Sequence, residues 1–417
     1  MNILLIHQNF LGRHEGGGSR FNEMTKVWGS QGHQITVLGG MVSYTTGRKH
    51  IKYKNKYFYT EDDFHEGVTV IRCHVSESYN VSFIGRLWSY FSFVLSSIYA
   101  GLFKIKGKYD VILVTSPPLF TGITAVVISF FKKLPIVFEV RDLWPESAID
   151  TGVLKNKIFI KSAYLFESYI YKKAKLINVL TPAFKTKLME KGVRQEKIIF
   201  IPNAADFSMA EKFQSDRFNP QEYKRVLGLE DQFVITYIGV HGLANHLIQL
   251  IDAAVLLKDT RIVFQLIGSG SQKEMLQAEA KIRNLKNVIF RDAVPKTEVF
   301  KYILASDVGV SVLKKAEVFK TIYSNKTFDY MACGKPVLLA IDGVSRTLIE
   351  KADCGFYVEP ENSFLIAEKA KELLSMPNSV LMKKGENGFL FAKKYFDREK
   401  LAKEYSGLIE KILSENE

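Results

Sequence analysis

Short apolar runs recur along this chain, and each is followed by a turn and then by a stretch of helical character. Ile3-Leu4-Leu5-Ile6 precedes Phe21 to Gln31, Asp110 to Thr115 precedes Leu119 to Phe131, and Phe233 to Ile238 precedes a helix through Leu257. Strands joined by helical crossovers pair in parallel, so the pattern predicts parallel sheets covered by helices. The alternation runs through Pro135 to Val140, Lys175 to Leu180 and Ile198 to Ile201. It pauses over the polar stretch Phe207 to Glu230 and restarts at Phe233. At 417 residues with 47% hydrophobic side chains, the chain exceeds what one core serves and fills two. The expected class is α/β, with doubly wound domains over 1–203 and 231–390, a linker over 204–230 and a terminal helix within 391–417.

Composition narrows the chemistry. The three cysteines, Cys73, Cys333 and Cys354, are odd in number and far apart, which argues against a disulfide framework and for a reducing cytoplasm. The eight histidines are scattered and no metal-ligand spacing occurs, so neither metal nor cofactor is expected. The first residues read as a strand rather than a secretion signal. A net charge of +13 favours an anionic partner, and Arg48 to Lys56 is the densest basic cluster. These residues lack interleaved aromatics on a nucleic-acid motif, so nucleic acid is not expected. The cluster is either a solvated basic face or a contact for anionic lipid.

The candidate site lies in Ser324-Asn325-Lys326-Thr327-Phe328-Asp329-Tyr330-Met331-Ala332-Cys333-Gly334-Lys335-Pro336, read as a capped helix, a tight stop and then a strand over Val337 to Ala340. Ser324 or Asn325 caps, Gly334 takes the left-handed position and Pro336 forbids continuation. Lys326 and Asp329 share one helical face at a start that attracts phosphate. They suit a nucleotide diphosphate and its sugar hydroxyls, or simply pair with each other. Gly16, Gly17 and Gly18 precede a helix near Ser19 and offer either close backbone approach to a ligand or a flexible turn. Gly268-Ser269-Gly270 lacks the third glycine of a dinucleotide fingerprint, since Lys273 stands there. Arg141-Asp142 closes a strand at the end where open α/β sheets hold ligands, or Arg141 simply pairs with Asp142 or Glu146 in a surface network. Val81 to Phe103 carries Arg86 as its one charged residue and is either a buried or an interfacial helix.

Together Gly16 to Arg20, Gly32 to Val37, Phe138 to Glu146, Ile201 to Asp206, Gly239 to Ala244, Ile267 to Gly270 and Phe328 to Val337 resemble glycosyltransferase family 4. Among its branches, the bacterial L-fucosamine transferases of O-antigen and capsule assembly look most similar. The resemblance implies the GT-B fold, two Rossmann-like domains facing a cleft, with the terminal helix returning to the first. It implies a retaining, metal-independent sugar transfer from a nucleotide-sugar donor to a lipid-linked saccharide acceptor at the inner face of the plasma membrane. The implied catalytic residues are Lys326, Arg141 and Asp142. The implied donor-binding residues are Gly17, Gly18, Gly239, His241, Gly242, Gly268, Gly270, Thr321, Ser324, Asn325, Lys326 and Asp329. Two departures stand out. The family's Glu-x7-Glu pair is here Thr321 and Asp329, and its Arg and Lys after the first strand of the second domain are missing from Val240 to Asn245. Lys326 is the cation that remains. A sugar-nucleotide 2-epimerase of the same fold and a binding module without turnover are the alternatives.

Overall fold

The computed structural model describes residues 1–13, 20–43, 47–79, 82–150, 154–216 and 218–415, and the chain forms two compact units. Gly16, Gly17, Gly18 and Ser19 of the first glycine-rich loop lie outside the described residues.

Among the described residues, the first unit comprises the chain up to Pro202 together with residues from Glu399 onward. Its elements are β1 (Asn2–His7), α1 (Arg20–Ser30), β2 (Gln34–Gly40), β3 (Phe58–His65), β4 (Val68–Cys73), α2 (Phe83–Phe103) and β5 (Val111–Ser116). They continue with α3 (Thr121–Lys132), β6 (Ile136–Val140), α4 (Glu146–Asp150), α5 (Lys157–Lys173), β7 (Leu176–Val179), α6 (Pro182–Glu190) and β8 (Ile198–Phe200). The eight strands run β3-β4-β2-β1-β5-β6-β7-β8, and all neighbours are parallel except the β3–β4 pair. Ile3, Leu4, Leu5, Ile6, Val111, Ile112, Leu113 and Val114 are fully buried, as expected of central strands covered on both faces. The β3–β4 hairpin was not expected. β3 is an edge strand carrying Glu61, Asp62 and Asp63 and is largely solvated, so it lacks the apolar run that marks the others.

The second unit spans Asn203–Arg398 among the described residues. It holds α7 (Phe207–Ser215), α8 (Pro220–Val226), β9 (Phe233–Ile238), α9 (Ile248–Val255), β10 (Ile262–Ile267), α10 (Lys273–Ile282), β11 (Val288–Arg291), α11 (Lys296–Leu304) and β12 (Val308–Val312). Then come α12 (Asn325–Ala332), β13 (Val337–Ala340), α13 (Val344–Ala352), β14 (Gly355–Tyr357), α14 (Ser363–Ser375) and α15 (Asn378–Tyr395), with α16 (Arg398–Ser414) closing the chain. Its sheet is parallel throughout, in the order β11-β10-β9-β12-β13-β14.

The expected linker over 204–230 is corrected by α7 and α8, which belong to the second unit. Asn219-Pro220 is not a loop signal here. Asn219 accepts from the Gln221 and Glu222 amides at 3.0 and 3.2 Å while Pro220 takes the first helical position. Phe207, Ala210 and Phe213 bury themselves in the unit's core, which a free linker does not do. The single helix expected over Lys393 to Ile412 is also broken. Phe396 O accepts from Ala205 N at 2.8 Å and Arg398 N donates to Ala205 O at 3.2 Å, so a tertiary strand bridge interrupts it. Beyond that break α16 packs in the first unit, where the Trp28 indole donates to Ala402 O at 2.7 Å and its ring meets Tyr405 edge-on.

Candidate functional site

In the second unit, strand order reverses direction between β9 and β12, and the segments leaving the carboxyl ends of β9, β10 and β12 converge there. Gly239, with φ +133, follows β9, and a Cβ built on it would stand 3.4 Å from Lys326 Cε. Lys326 is thus brought from α12 to the end of β9, the place where the usual cations are missing. Its ammonium lies 3.5 Å from Ser324 Oγ and 4.9 Å from the centroid of the Tyr237 ring. Burial pushes its pKa down to about 8, against the opposing pull of Asp329.

The start of α12 differs from the expected cap. Ser324 holds the N-cap position, yet its hydroxyl shares a 2.7 Å hydrogen bond with Ser311 of β12 and caps nothing. The Ser324 amide donates to Ser345 Oγ at 3.3 Å, and Ser345 donates on to Ile322 O at 2.8 Å. Held by these two serines, the chain enters α12 with no side-chain cap, so its leading amides remain available to an anion. The far end matches expectation: Gly334 has φ +62, and Lys335 N donates to Tyr330 O at 3.0 Å. Asp329 is half-buried on the face shared with Lys326, and Asn325 is exposed. Thr321 closes a short 3-10 helix, Glu317–Thr321, and donates to Val318 O at 2.6 Å.

Gly268 and Gly270 serve a different purpose from the one a dinucleotide fingerprint gives them. A Cβ on Gly268 would fall 1.9 Å from Gly239 O, and one on Gly270 would fall 2.5 Å from His241 O. The two loops are zipped together, with His241 N donating to Ser269 O at 2.8 Å and Gln272 N to His241 O at 2.9 Å. Lys273, in the missing third-glycine position, donates to Gly268 O and Arg291 O, both at 2.9 Å, and to Asp292 at 2.7 Å. It ties strand ends rather than a phosphate. His241 is fully buried, and neither ring nitrogen has a hydrogen-bond partner among the described residues. Burial, then the charge of Lys273, pushes its pKa down to about 4, so the ring is neutral at ordinary pH. Leaving such a group unsatisfied costs about 1–3 kcal/mol. Gly242 begins the turn Leu243–Asn245, fastened by Lys314 N donating to Ala244 O at 2.8 Å.

In the first unit Arg141 and Asp142 follow β6 but take separate partners. Arg141 Nη1 sits 3.5 Å from His7 Nε2, while Asp142 accepts from Ser147 Oγ at 2.7 Å within its own turn. Burial raises the Asp142 pKa, opposed by that hydroxyl and the Leu143 amide. Asp142 thus fastens the turn that follows β6. Glu146 pairs with Lys191 at 2.7 Å. His7 was not singled out from sequence. It ends β1, beside the point where this sheet reverses direction; burial, followed by the Arg141 and Arg72 charges, holds it well below the ordinary imidazole range. A histidine closing the first apolar run was the available signal. Tyr237, Ser311 and Ser345 were missed as well, because they act through pairings between strands and helices far apart in sequence.

Residues 15–204 match the glycosyl transferase 4-like domain family, and residues 219–389 match the family of glycosyl transferases group 1. Among curated proteins, the putative colanic acid biosynthesis glycosyl transferase WcaI of Escherichia coli K12 is 24% identical over 90% of this chain and 93% of that protein. The probable glycosyltransferase WbjE of Pseudomonas aeruginosa is 22% identical over 68% of this chain and 72% of its own length. Among solved structures, Anabaena HepE in complex with UDP superposes with a TM-score of 0.71 at 16% identity, covering 99% of this chain and all of that one. Sucrose-phosphate synthase from Thermosynechococcus elongatus gives 0.72 at 14% identity, covering 99% of each chain. These superpositions support the two-domain GT-B architecture.

Proposed function

Because this chain carries a glycosyltransferase 4-like domain followed by a group 1 glycosyltransferase domain, we propose that it transfers a sugar from UDP to a lipid-linked saccharide in surface polysaccharide assembly, with retention of configuration and without a metal. The observation that carries this reading is the Lys326 ammonium, held beside Gly239 at the uncapped start of α12. As the sugar–phosphate bond breaks, charge accumulates on the departing diphosphate, and a preorganised cation with open helix amides stabilises it. The neutral His241 ring has a nitrogen to donate to the same phosphates, and Asp329 accepts from the ribose hydroxyls. Arg141, with His7 beside it, serves the acceptor. The motifs' likeness to the L-fucosamine transferases supports an N-acetylated amino or deoxyamino sugar as the group moved, and the similarity to WcaI, a putative colanic acid biosynthesis glycosyl transferase, supports polysaccharide assembly as the setting. The acceptor's lipid implies work at an anionic membrane surface in the cytoplasm.

Thermal denaturation with UDP-, GDP- and dTDP-sugars tests the donor. A ligand present at a hundred times its dissociation constant stabilises the folded form by about 2.7 kcal/mol, so UDP-sugars raise the melting temperature by several degrees. A larger rise with another base reassigns the nucleotide, and no rise with any of them removes the donor site. Nucleotide release that proceeds with no acceptor present would move the reading to an epimerase. For Asp329, replacement by Asn weakens UDP binding about tenfold by calorimetry, since a hydrogen bond to a charged group is lost. Unchanged affinity would make this carboxylate a structural partner of Lys326.

A further inference from the structure

α2 buries Phe93, Val94 and Ala100 against the first unit, yet its outer face is apolar as well. Ser89, Ser92, Ser96 and Ser97 are buried against the first unit, whereas Ile84, Trp88, Phe91, Leu95, Tyr99 and Phe103 are exposed, Ile84 by 77% and Leu95 by 60%. The serines are satisfied inward: Ser96 Oγ donates to His74 O at 2.7 Å, Ser97 and Thr124 share a hydrogen bond at 2.8 Å, and Ser92 Oγ accepts from Ser76 N at 2.9 Å. The exposed residues recur every three or four positions, so they form one continuous apolar stripe. A contiguous stripe of this size marks a surface that meets an apolar medium. Among the described residues no helix is long and apolar enough to cross a membrane, so α2 is not a span.

The carboxyl end of the stripe is ringed by cations. Phe58 stacks on Tyr99 with centroids 5.5 Å apart, and Lys104 Nζ stands 4.9 Å from the Phe58 ring, which joins the basic segment 48–57 to α2. Lys49 bonds His74 at 2.9 Å and Lys52 bonds Glu61 at 2.8 Å, while Lys54 is exposed and Lys56, also exposed, stands 4.3 Å from the centroid of the Tyr59 ring. Gly101 approaches Ile128 so closely that a Cβ would fall 2.1 Å from it, and this contact brings the end of α3, with exposed Phe130, Phe131 and Lys133, to the same edge. No carboxylate occurs between Ser78 and Tyr109 or between Arg48 and Thr60.

We propose that this face, the outward stripe of α2 with Lys54, Lys56 and Lys104 at its edge, docks in the plane of an anionic bilayer. The inference rests on the reading of a lipid-linked acceptor and names the surface that would bring the enzyme to it. Charge decides the occupant. A second copy docked through this same face would set cation against cation, since neither 78–109 nor 48–60 carries a carboxylate, whereas a phosphate-rich surface complements the lysines while the aromatic and aliphatic side chains sink below the headgroups.

Full-length protein is mixed at low salt with vesicles of phosphatidylcholine alone, or of phosphatidylcholine and phosphatidylglycerol in equal parts. It sediments with the anionic vesicles only, salt releases it, and tryptophan emission shifts to the blue as Trp88 leaves water. Leu95→Ser with Phe103→Ser lowers the partition coefficient at least tenfold, and Lys54→Glu with Lys56→Glu lowers it about a hundredfold. All four side chains are exposed, so melting temperature and UDP stabilisation stay at parent values, and those two readouts keep the donor site's failure separate from this one. Equal binding to neutral vesicles, parent-like binding by the Lys54/Lys56 variant, or a concentration-dependent dimer abolished by the Leu95/Phe103 variant would each overturn the proposal.

Discussion

Lys326→Ala lowers kcat/KM for the donor about 100- to 1,000-fold, the loss that follows removal of one preorganised group aimed at developing charge. Folding is not at risk from this change. The ammonium is desolvated in the native state, and its contacts are the Ser324 hydroxyl and the Tyr237 ring face. The pH dependence carries a second signature. The cation is the working form and its pKa is pushed down to about 8, so kcat/KM falls about tenfold per unit as pH rises above 8. Lys326→Arg, charged throughout this range, flattens that limb. Stability moves in the opposite direction. The folded-state pKa lies below the ordinary value of 10.5, so the unfolded chain binds the proton more tightly and stability rises between pH 8 and 10.5. A parent-like rate for the alanine variant at saturating donor, with the same alkaline limb, would assign the diphosphate to another cation.

Glu139→Ala destabilises the first unit by about 3–5 kcal/mol, because it strands a buried arginine without its counter-charge. Glu139, on β6, is completely buried and receives Arg20 Nε at 3.0 Å and Nη2 at 3.2 Å as a two-pronged pair. Asn178 of β7, opposite it in register, donates to the same carboxylate at 2.9 Å. Arg20 continues to the carbonyls of Ile201, at 2.7 Å, and Pro202, while Asn178 Oδ1 accepts from Ile201 N at 2.8 Å. The last backbone of the first unit is thus fixed by one buried network. The chain's three tryptophans, Trp28, Trp88 and Trp144, all lie in this unit, so urea unfolding followed by tryptophan emission reads its stability selectively. Paired replacement by Arg20→Met and Glu139→Leu recovers much of the loss, since an apolar pair of similar volume often matches a buried ion pair. A Glu139→Ala cost under about 1 kcal/mol would mean that water or another group already neutralises Arg20.

That network shows where reading the sequence stopped. Arg20, Glu139 and Pro202 each sit in a motif that resembles glycosyltransferase family 4, but nothing in their spacing says that they touch. The separations, 119 residues from Arg20 to Glu139 and 182 to Pro202, are closed only by the sheet. The same holds for His241 and the glycines after β10. From sequence Gly268 and Gly270 give an incomplete dinucleotide fingerprint, and packing shows that they yield space to the Gly239 carbonyl and the His241 backbone.

What the sequence determined by itself was local and periodic. Buried parallel strands carry unbroken apolar runs, and helix starts and stops carry caps, Pro and Gly, so the alternation, the two doubly wound domains and the left-handed stop at Gly334 were legible residue by residue. Elements whose apolar signal is diluted by solvent, the edge strand β3 and the surface helices α7 and α8, were not. Tertiary structure alone decided three further things. Ser311 draws the Ser324 hydroxyl away from its capping role, Ala205 breaks the final helix at Phe396, and four serines of α2 turn inward while Trp88, Phe91, Tyr99 and Phe103 turn out. In each case a partner distant in the chain competes with the local preference and wins. A hydrogen bond or packed face made inside a folded unit outweighs the roughly 1 kcal/mol that separates one local conformation from the next.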